Sequence, residues 1–162
     1  PRTTKDVDVF LRQVDAGRAL DLLATRRFDV ERTNESWIYK AFRDGVLVDL
    51  IFRVRCDIYF DEEMGQRCRR VEYAGVELPV VAPEDLVVTK AVVADEESPR
   101  HWHDALGVLA VNDLDWDYLV ERARKSPNRI LSLLHYALSV DLPVSHRAMQ
   151  TLHDHVMRFE ER

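Results

Sequence analysis

The sequence has little cysteine, glycine or proline and no long apolar run. Its 162 residues include 2 Cys, 5 Gly and 6 Pro. The two cysteines lack a CxxC partner, which argues against a disulfide framework or a cysteine-ligated metal site. The low glycine and proline content excludes collagen-like and low-complexity chains. Because no apolar run reaches transmembrane length and the amino terminus lacks a signal-peptide pattern, we expect a cytoplasmic protein with no membrane partner.

Acidic residues outnumber basic ones. The chain has 23 Lys and Arg against 29 Asp and Glu, for a formal net charge of −6. General electrostatic attraction to nucleic acid is therefore not expected, and any polyanion has to be bound by a local basic patch. With 46% hydrophobic and 32% charged residues, the composition is that of a globular domain able to bury a core.

Hydrophobic periodicity separates the chain into two halves. Helical spacing and helix-start signals predict five helices from Pro83 onward. We therefore predict an α+β fold, in which a mixed β-sheet core (residues 1–82) is followed by a C-terminal helical bundle (residues 83–162). The run 46–54 is apolar on both faces, which predicts an interior strand covered from two sides. In the first half, the pattern predicts strands over 5–12, 28–33, 37–42 and 46–54, a strand pair over 71–81 that turns at Ala74-Gly75, and helices over 16–26 and 61–68.

Three aspartates interrupt the apolar pattern of the predicted sheet. Asp6 and Asp8 are two residues apart on a strand, so their side chains leave the same face and can hold a divalent cation. Such a pair alone is more often a solvated strand end. Asp49 lies inside the apolar run 46–54, where an unpaired carboxylate is costly. A shared Mg²⁺ would compensate all three, and the alternative partner for Asp49 is a helix amino terminus or a buried arginine.

Two residues of the predicted helices extend this argument. Lys90 shares a helix face with Leu86 and Val93, so it either reaches the edge of a cleft or pairs with an anion, for which a triphosphate is suitable. Asp104 follows on the next helix, where it could hold the lysine in place, act as a base on an acceptor hydroxyl, or be an ordinary surface acid.

Four segments together resemble a known family. In this order, RTTKDVDVFL, GVLVDLIF, PVVAPEDLVVTKAVVA and RHWHDALGVL are similar to the nucleotidyltransferase superfamily, whose catalytic core is like that of DNA polymerase beta. Within that superfamily they resemble the AbiEii/MenT-type toxin nucleotidyltransferases. The resemblance covers residues 2–111. It implies an enzyme that binds Mg²⁺ and transfers a nucleoside monophosphate from an NTP.

The resemblance also assigns roles to individual residues. Asp6 and Asp8 would be the first metal-ligand motif and Asp49 the third acid, while Lys90, with Lys5, would contact the NTP. Asp104 would be the second acid of a closing DxxD block, whose first position is occupied here by His101.

One family feature is missing from this sequence. The family has a Gly-Gly or Gly-Ser block about ten residues before the DxD, where backbone amides hold the triphosphate. This chain has no room for that block, so either further residues precede Pro1 or the protein is a partial and inactive version.

Three functions follow as alternatives. The first is a nucleotidyltransferase toxin that modifies the 3′ end of tRNA and has a cognate antitoxin protein. The second is a catalytically degenerate module of the same fold that binds a nucleotide or a partner protein. The third is a small-molecule, antibiotic-modifying nucleotidyltransferase.

A tRNA acceptor needs a basic surface, and a base can stack on an aromatic side chain. Trp37, Tyr39 and Phe42 are the aromatic candidates, although such residues more often fill a core. The basic candidates are Arg53, Arg55, Arg67, Arg69, Arg70, the run 122–125 and Arg129.

Overall fold

The computed structural model describes residues 6–160 and confirms the predicted α+β class. The chain divides into two compact units, Pro1–Glu62 and Glu63–Arg162, so the division falls earlier than the predicted boundary at residue 82. The first unit contains β1 (Asp6–Phe10), α1 (Gln13–Thr25), β2 (Asp29–Asn34), β3 (Ile38–Arg43), β4 (Val46–Ile51) and a short 3₁₀ turn (Arg55–Asp57). The elements that follow are α2 (Glu62–Arg67), β5 (Arg69–Tyr73), β6 (Val76–Val80), α3 (Pro83–Val93), α4 (Arg100–Val111), α5 (Trp116–Ala123), α6 (Pro127–Ser139) and α7 (His146–Glu160).

The sheet of the first unit has four strands in the order β1-β4-β3-β2. The pairing of β1 with β4 is parallel, and the other two pairings are antiparallel. Asp44 and Gly45 form the hairpin turn between β3 and β4, with positive φ angles of 53° and 79°. Because β4 pairs with β1 on one side and with β3 on the other, it is an interior strand of the sheet, as predicted. Strands β5 and β6, which the prediction placed in the sheet core, form a two-stranded sheet of their own.

Helix α1 covers one face of the four-stranded sheet. Leu20 of α1 packs in a buried cluster with Leu50 of β4, Tyr39 of β3 and Phe52. The expectation that β4 is covered from two sides was wrong, since Leu50 alone among its six residues is buried. The physical reason is that β4 presents Val48 and Leu50 to α1, while Asp49 lies on the opposite face.

The second unit has its core among α3 to α7. Helix α3 begins at Pro83, where a missing backbone donor costs nothing, and it contains both apolar and acidic buried residues. Helix α3 packs against α4, α5 and α6. The fully buried side chains of this core include Val87, Leu109, Leu119, Ile130, Leu133, Leu134 and Leu152.

Within residues 6–160, none of the helices combines the length and the apolar character needed to cross a bilayer.

Asp115 caps α5. Its side chain accepts a hydrogen bond from the Tyr118 backbone N–H, and its Oδ2 lies 2.9 Å from Nη1 of Arg67. These two contacts, the backbone bond first, lower the pKa of the Asp115 carboxyl below its ordinary 3.8. Because the pKa is lower in the folded state, the contribution to stability is complete above the ordinary value and is lost as the pH falls through the folded pKa.

Asp115→Ala should lower the free energy of unfolding by about 1 kcal/mol at neutral pH, as expected for the loss of a helix cap. The difference from the native protein should shrink as the pH falls below the ordinary carboxyl value. Urea unfolding followed by circular dichroism at neutral and at acidic pH measures both effects. A difference that stays constant with pH would contradict the assigned role.

Candidate active site

Three aspartates share one face of the four-stranded sheet. Asp6 is paired with Leu47, and Asp8 is paired directly with Asp49, because β1 and β4 are parallel neighbours. Residues paired across neighbouring strands point to the same face, so all three carboxylates lie on the side opposite α1. Asp6 and Asp8 are exposed, whereas the Asp49 side chain is 17% exposed. The structure thus brings the three predicted metal ligands together on one face.

Lys40 is the direct partner of Asp49. It is paired with Asp49 across β3 and β4, and its Nζ lies 2.7 Å from Asp49 Oδ1. The partner expected for Asp49, if not a metal, was a helix amino terminus or a buried arginine; the observed partner is a lysine of the adjacent strand. An ammonium at this distance stabilises the ionised carboxylate, which explains why an acid is tolerated in the apolar strand.

Sequence reasoning missed Lys40, although a signal for it exists. The two-residue turn Asp44-Gly45 fixes the register of its hairpin, so that Arg43 pairs with Val46 and, three pairs farther from the turn, Lys40 pairs with Asp49. Counting outward from the turn would have placed the two opposite charges side by side.

The three carboxylates are of the chemistry that Mg²⁺ prefers, and they lie on one face of the sheet. Mg²⁺ is bound by a few carboxylate oxygens and by substrate phosphates, and this face presents three carboxylates on adjacent strands. In the arrangement seen here, Lys40 bonds one oxygen of Asp49, and no three His, Cys, Asp or Glu side chains of residues 6–160 are grouped closely enough to hold a metal ion. Asp6, Asp8 and Asp49 thus have the chemistry to hold the cation, but the arrangement seen here is not that of a formed metal site.

A second group of predicted residues lies in the second unit. Lys90 of α3 has its Nζ 3.7 Å from Oδ2 of Asp104 and 3.5 Å from Nδ1 of His101, both on α4. The Lys90 side chain is 23% exposed, so it is the half-buried lysine that its helical position predicts. Asp104 thus lies beside the lysine, as the first of the three alternatives stated for it requires. His101 and Asp104 are one helical turn apart and flank the same ammonium group.

Lys5, the other predicted nucleotide contact, lies outside the described residues. Among the aromatic candidates, Tyr39 is buried in the cluster under α1. Phe42 is exposed on the same face as Asp49, because it is paired with Leu47. Of Tyr39 and Phe42, the two aromatic candidates in β3, only Phe42 therefore lies on the face of the three aspartates.

Two of the basic candidates for nucleic-acid contact take part in an internal network of the second unit. Nε of Arg122 lies 2.7 Å from Oδ1 of buried Asp85, and the Tyr118 hydroxyl donates to Oδ2 of the same carboxylate at 2.8 Å. Arg67 stacks on the ring of Tyr118 at 3.8 Å. Burial, followed by the bond to Asp85, raises the pKa of Tyr118 well above its ordinary value. Arg122 is 13% exposed, so its charge is matched inside the unit and little of it reaches the surface.

Comparison with known proteins identifies the family of the chain. A family model described as nucleotidyl transferase of unknown function (DUF2204) matches residues 1–134, a range that contains every residue assigned above to the candidate site. No curated protein matches the chain. Since the family model matches most of the 162 residues, the chain belongs to this family of nucleotidyl transferases.

Proposed function

We propose that this nucleotidyl transferase is Mg²⁺-dependent and transfers a nucleoside monophosphate from an NTP to the 3′ end of tRNA, as the toxin of a toxin–antitoxin pair. The observation that carries the proposal is the register that puts Asp6, Asp8 and Asp49 on one face of β1 and β4. Family membership supports the transfer reaction. The toxin role, the tRNA acceptor and the cognate antitoxin are supported by the AbiEii/MenT-type resemblance of the four sequence segments.

The reaction joins an acceptor oxygen to the α-phosphorus of the NTP and breaks the bond to pyrophosphate. Mg²⁺, when bound, would neutralise phosphate charge and align the reacting groups. Asp6, Asp8 and Asp49 would hold the metal at the sheet face. The exposure of Asp6 and Asp8 leaves that face accessible to a nucleotide. Phe42, exposed on the same face two pairs away from the aspartate pair, offers a surface on which a base can stack.

Lys90 and Asp104 have separate roles in this proposal. Lys90 would contact the NTP phosphates, for which a half-buried ammonium on a flexible stem is suited. Asp104, 3.7 Å from the ammonium, would position it. Lys90→Met should therefore raise the KM for the NTP.

The proposed acceptor requires basic residues at the surface; Arg70 and Arg124 are paired there with Glu77 and Glu121, whose side chains are also exposed. Arg69 and Arg70 are exposed on β5, and Arg124, Lys125 and Arg129 are exposed at the end of α5 and the start of α6. These residues, rather than Arg67 and Arg122, are the proposed contacts with the tRNA backbone.

The proposal is tested by incubating the protein with Mg²⁺ and each α-labelled NTP in turn, with and without total tRNA. Label on tRNA that disappears when the metal is chelated is expected. Label on an aminoglycoside instead would favour the antibiotic-modifying alternative. If no acceptor is labelled but nucleotide still binds, the chain is a binding module of the same fold.

The site of labelling and the biological role need separate measurements. Periodate oxidation of the tRNA, which converts the 2′ and 3′ hydroxyls of the terminal ribose to aldehydes, should abolish labelling if those hydroxyls are the acceptor. Expression of the protein in growing cells should arrest growth, and a variant at Asp8 should not. Growth that is unaffected by the active protein would contradict the toxin role while leaving the transfer reaction in place.

A further inference from the structure

A row of four charged residues crosses the entire sheet of the first unit. The register pairs Asp8 with Asp49, Asp49 with Lys40, and Lys40 with Glu31, one residue from each strand. The charges along the row are therefore negative, negative, positive and negative. All four side chains leave the face opposite α1, because directly paired residues share a face.

Lys40 occupies a carboxylate that the proposed function assigns to the metal. Its Nζ is 2.7 Å from Oδ1 of Asp49, and its side chain is 33% exposed, so the contact is partly shielded from water. An ammonium and a divalent cation on the same carboxylate repel each other across a short distance. Both cannot keep full contact with Asp49.

The row also gives the Lys40 ammonium a second carboxylate with which it can pair. Glu31 lies on the other side of Lys40, directly paired with it on the edge strand β2. A lysine ammonium is a point charge on a four-carbon stem, so it can turn from Asp49 toward Glu31 without any change in the backbone. The sheet thus supplies both the carboxylate that Lys40 contacts here, Asp49, and an alternative carboxylate, Glu31.

We propose that Lys40 is an internal counterion that competes with the divalent cation for Asp49 and is displaced from that carboxylate when the cation binds. The inference rests on the proposed function, since it takes Asp8 and Asp49 as ligands. In the metal-free protein, Lys40 offsets the repulsion between the directly paired carboxylates of Asp8 and Asp49. Its presence weakens metal binding and keeps the site metal-free at low cation concentration.

The test measures metal binding itself, with Mn²⁺ as the probe and electron paramagnetic resonance as the readout of free and bound ion. Lys40→Gln should bind Mn²⁺ about twofold to fivefold more tightly than the native protein, the order of effect of one partly exposed charge pair. Lys40→Met serves the same purpose if the glutamine variant folds poorly. An affinity that is unchanged or weaker in a folded Lys40 variant would overturn the inference.

Two control variants separate this effect from a change in overall charge. Lys40→Arg keeps a cation at the position and should bind Mn²⁺ as the native protein does. Arg43→Gln removes one positive charge from the same strand, on the face toward α1, and should change the affinity little. If Arg43→Gln tightens binding as much as Lys40→Gln, the effect is one of net charge and the inference fails.

The failure of the proposed function gives a different result. In that case Asp8→Asn would not weaken Mn²⁺ binding, either in the native protein or in combination with Lys40→Gln. If binding depends on Asp8 but is insensitive to Lys40, the metal site stands and only the counterion role is lost.

Discussion

Replacement of Asp8 by asparagine should abolish nucleotidyl transfer and leave the fold intact. Asp8 is exposed on the edge strand β1 and directly paired with Asp49. The variant loses a negative ligand but keeps nearly the same shape. Loss of a group that stabilises transition-state charge costs about 100-fold or more, so the rate of label transfer should fall by at least that factor. The measurement is the initial rate with the NTP that the native protein uses best.

Stability is the second readout of the Asp8 variant. Like charges directly opposite each other on neighbouring strands destabilise a sheet, and Asp8 and Asp49 form such a pair. Asp8→Asn should therefore leave the free energy of unfolding unchanged within about 0.5 kcal/mol, or raise it by a few tenths. An inactive and equally stable variant is typical of a residue retained for function at some cost in stability.

Asp29→Asn is the matched control for Asp8→Asn. Asp29 begins β2, the opposite edge strand, and is paired with Phe42, so it lies on the same face of the sheet but outside the aspartate pair. It should keep nearly full activity. Equal losses in the two variants would show that the transfer rate follows the general charge of this face, and the assignment of Asp8 as a ligand would be wrong.

The contrast between Asp49 and its neighbours shows how far the sequence determines this site. Asp49 is conspicuous because an acid within an apolar strand needs a partner, and that signal is local. Its pairing with Lys40 follows from the two-residue turn Asp44-Gly45, which fixes the register, and is therefore contained in the sequence as well. The secondary structure is also local in origin, and the predicted strands and helices are observed with shifts of a few residues at their ends.

The pairing of Asp8 with Asp49, in contrast, does not follow from local sequence. Strands β1 and β4 are parallel and are separated in the chain by α1, β2 and β3, so no turn fixes their register. The register depends on how α1 packs on the sheet, which periodicity does not specify.

The same limit applies to Arg67 and Arg122, which lie in runs of basic residues typical of an exposed basic surface. Their partners Asp115 and Asp85 come from the packing of other helices.

The buried carboxylate of Asp85 provides the largest expected effect on stability. Asp85 is 2% exposed, pairs with Arg122 at 2.7 Å and accepts a hydrogen bond from the hydroxyl of Tyr118 at 2.8 Å. Asp85→Ala would leave a guanidinium with little access to water and a hydroxyl without this acceptor. Breaking a buried ion pair from one side costs about 3–5 kcal/mol. The free energy of unfolding in urea should fall by that amount.

Asp117→Ala is the matched control for the buried pair. Asp117 lies on the same helix as Arg122 and faces Arg147 at 3.6 Å, but both side chains are more than four-fifths exposed. Loss of such a surface pair should change stability by less than about 1 kcal/mol. If Asp85→Ala costs no more than Asp117→Ala, the carboxylate of Asp85 is not the centre of the network.

A double variant distinguishes loss of the pair from loss of one charge. Arg122→Met alone leaves a buried carboxylate, and Asp85→Ala alone leaves a poorly solvated guanidinium, so each single change should be costly. The double variant Asp85→Ala/Arg122→Met removes both charges and should be less destabilised than the sum of the two single variants, with a coupling of about 0.5–3 kcal/mol. Simple additivity would mean that the two side chains, although 2.7 Å apart, do not stabilise each other. In that event the ion pair adds nothing to the stability of the contact between α3 and α5.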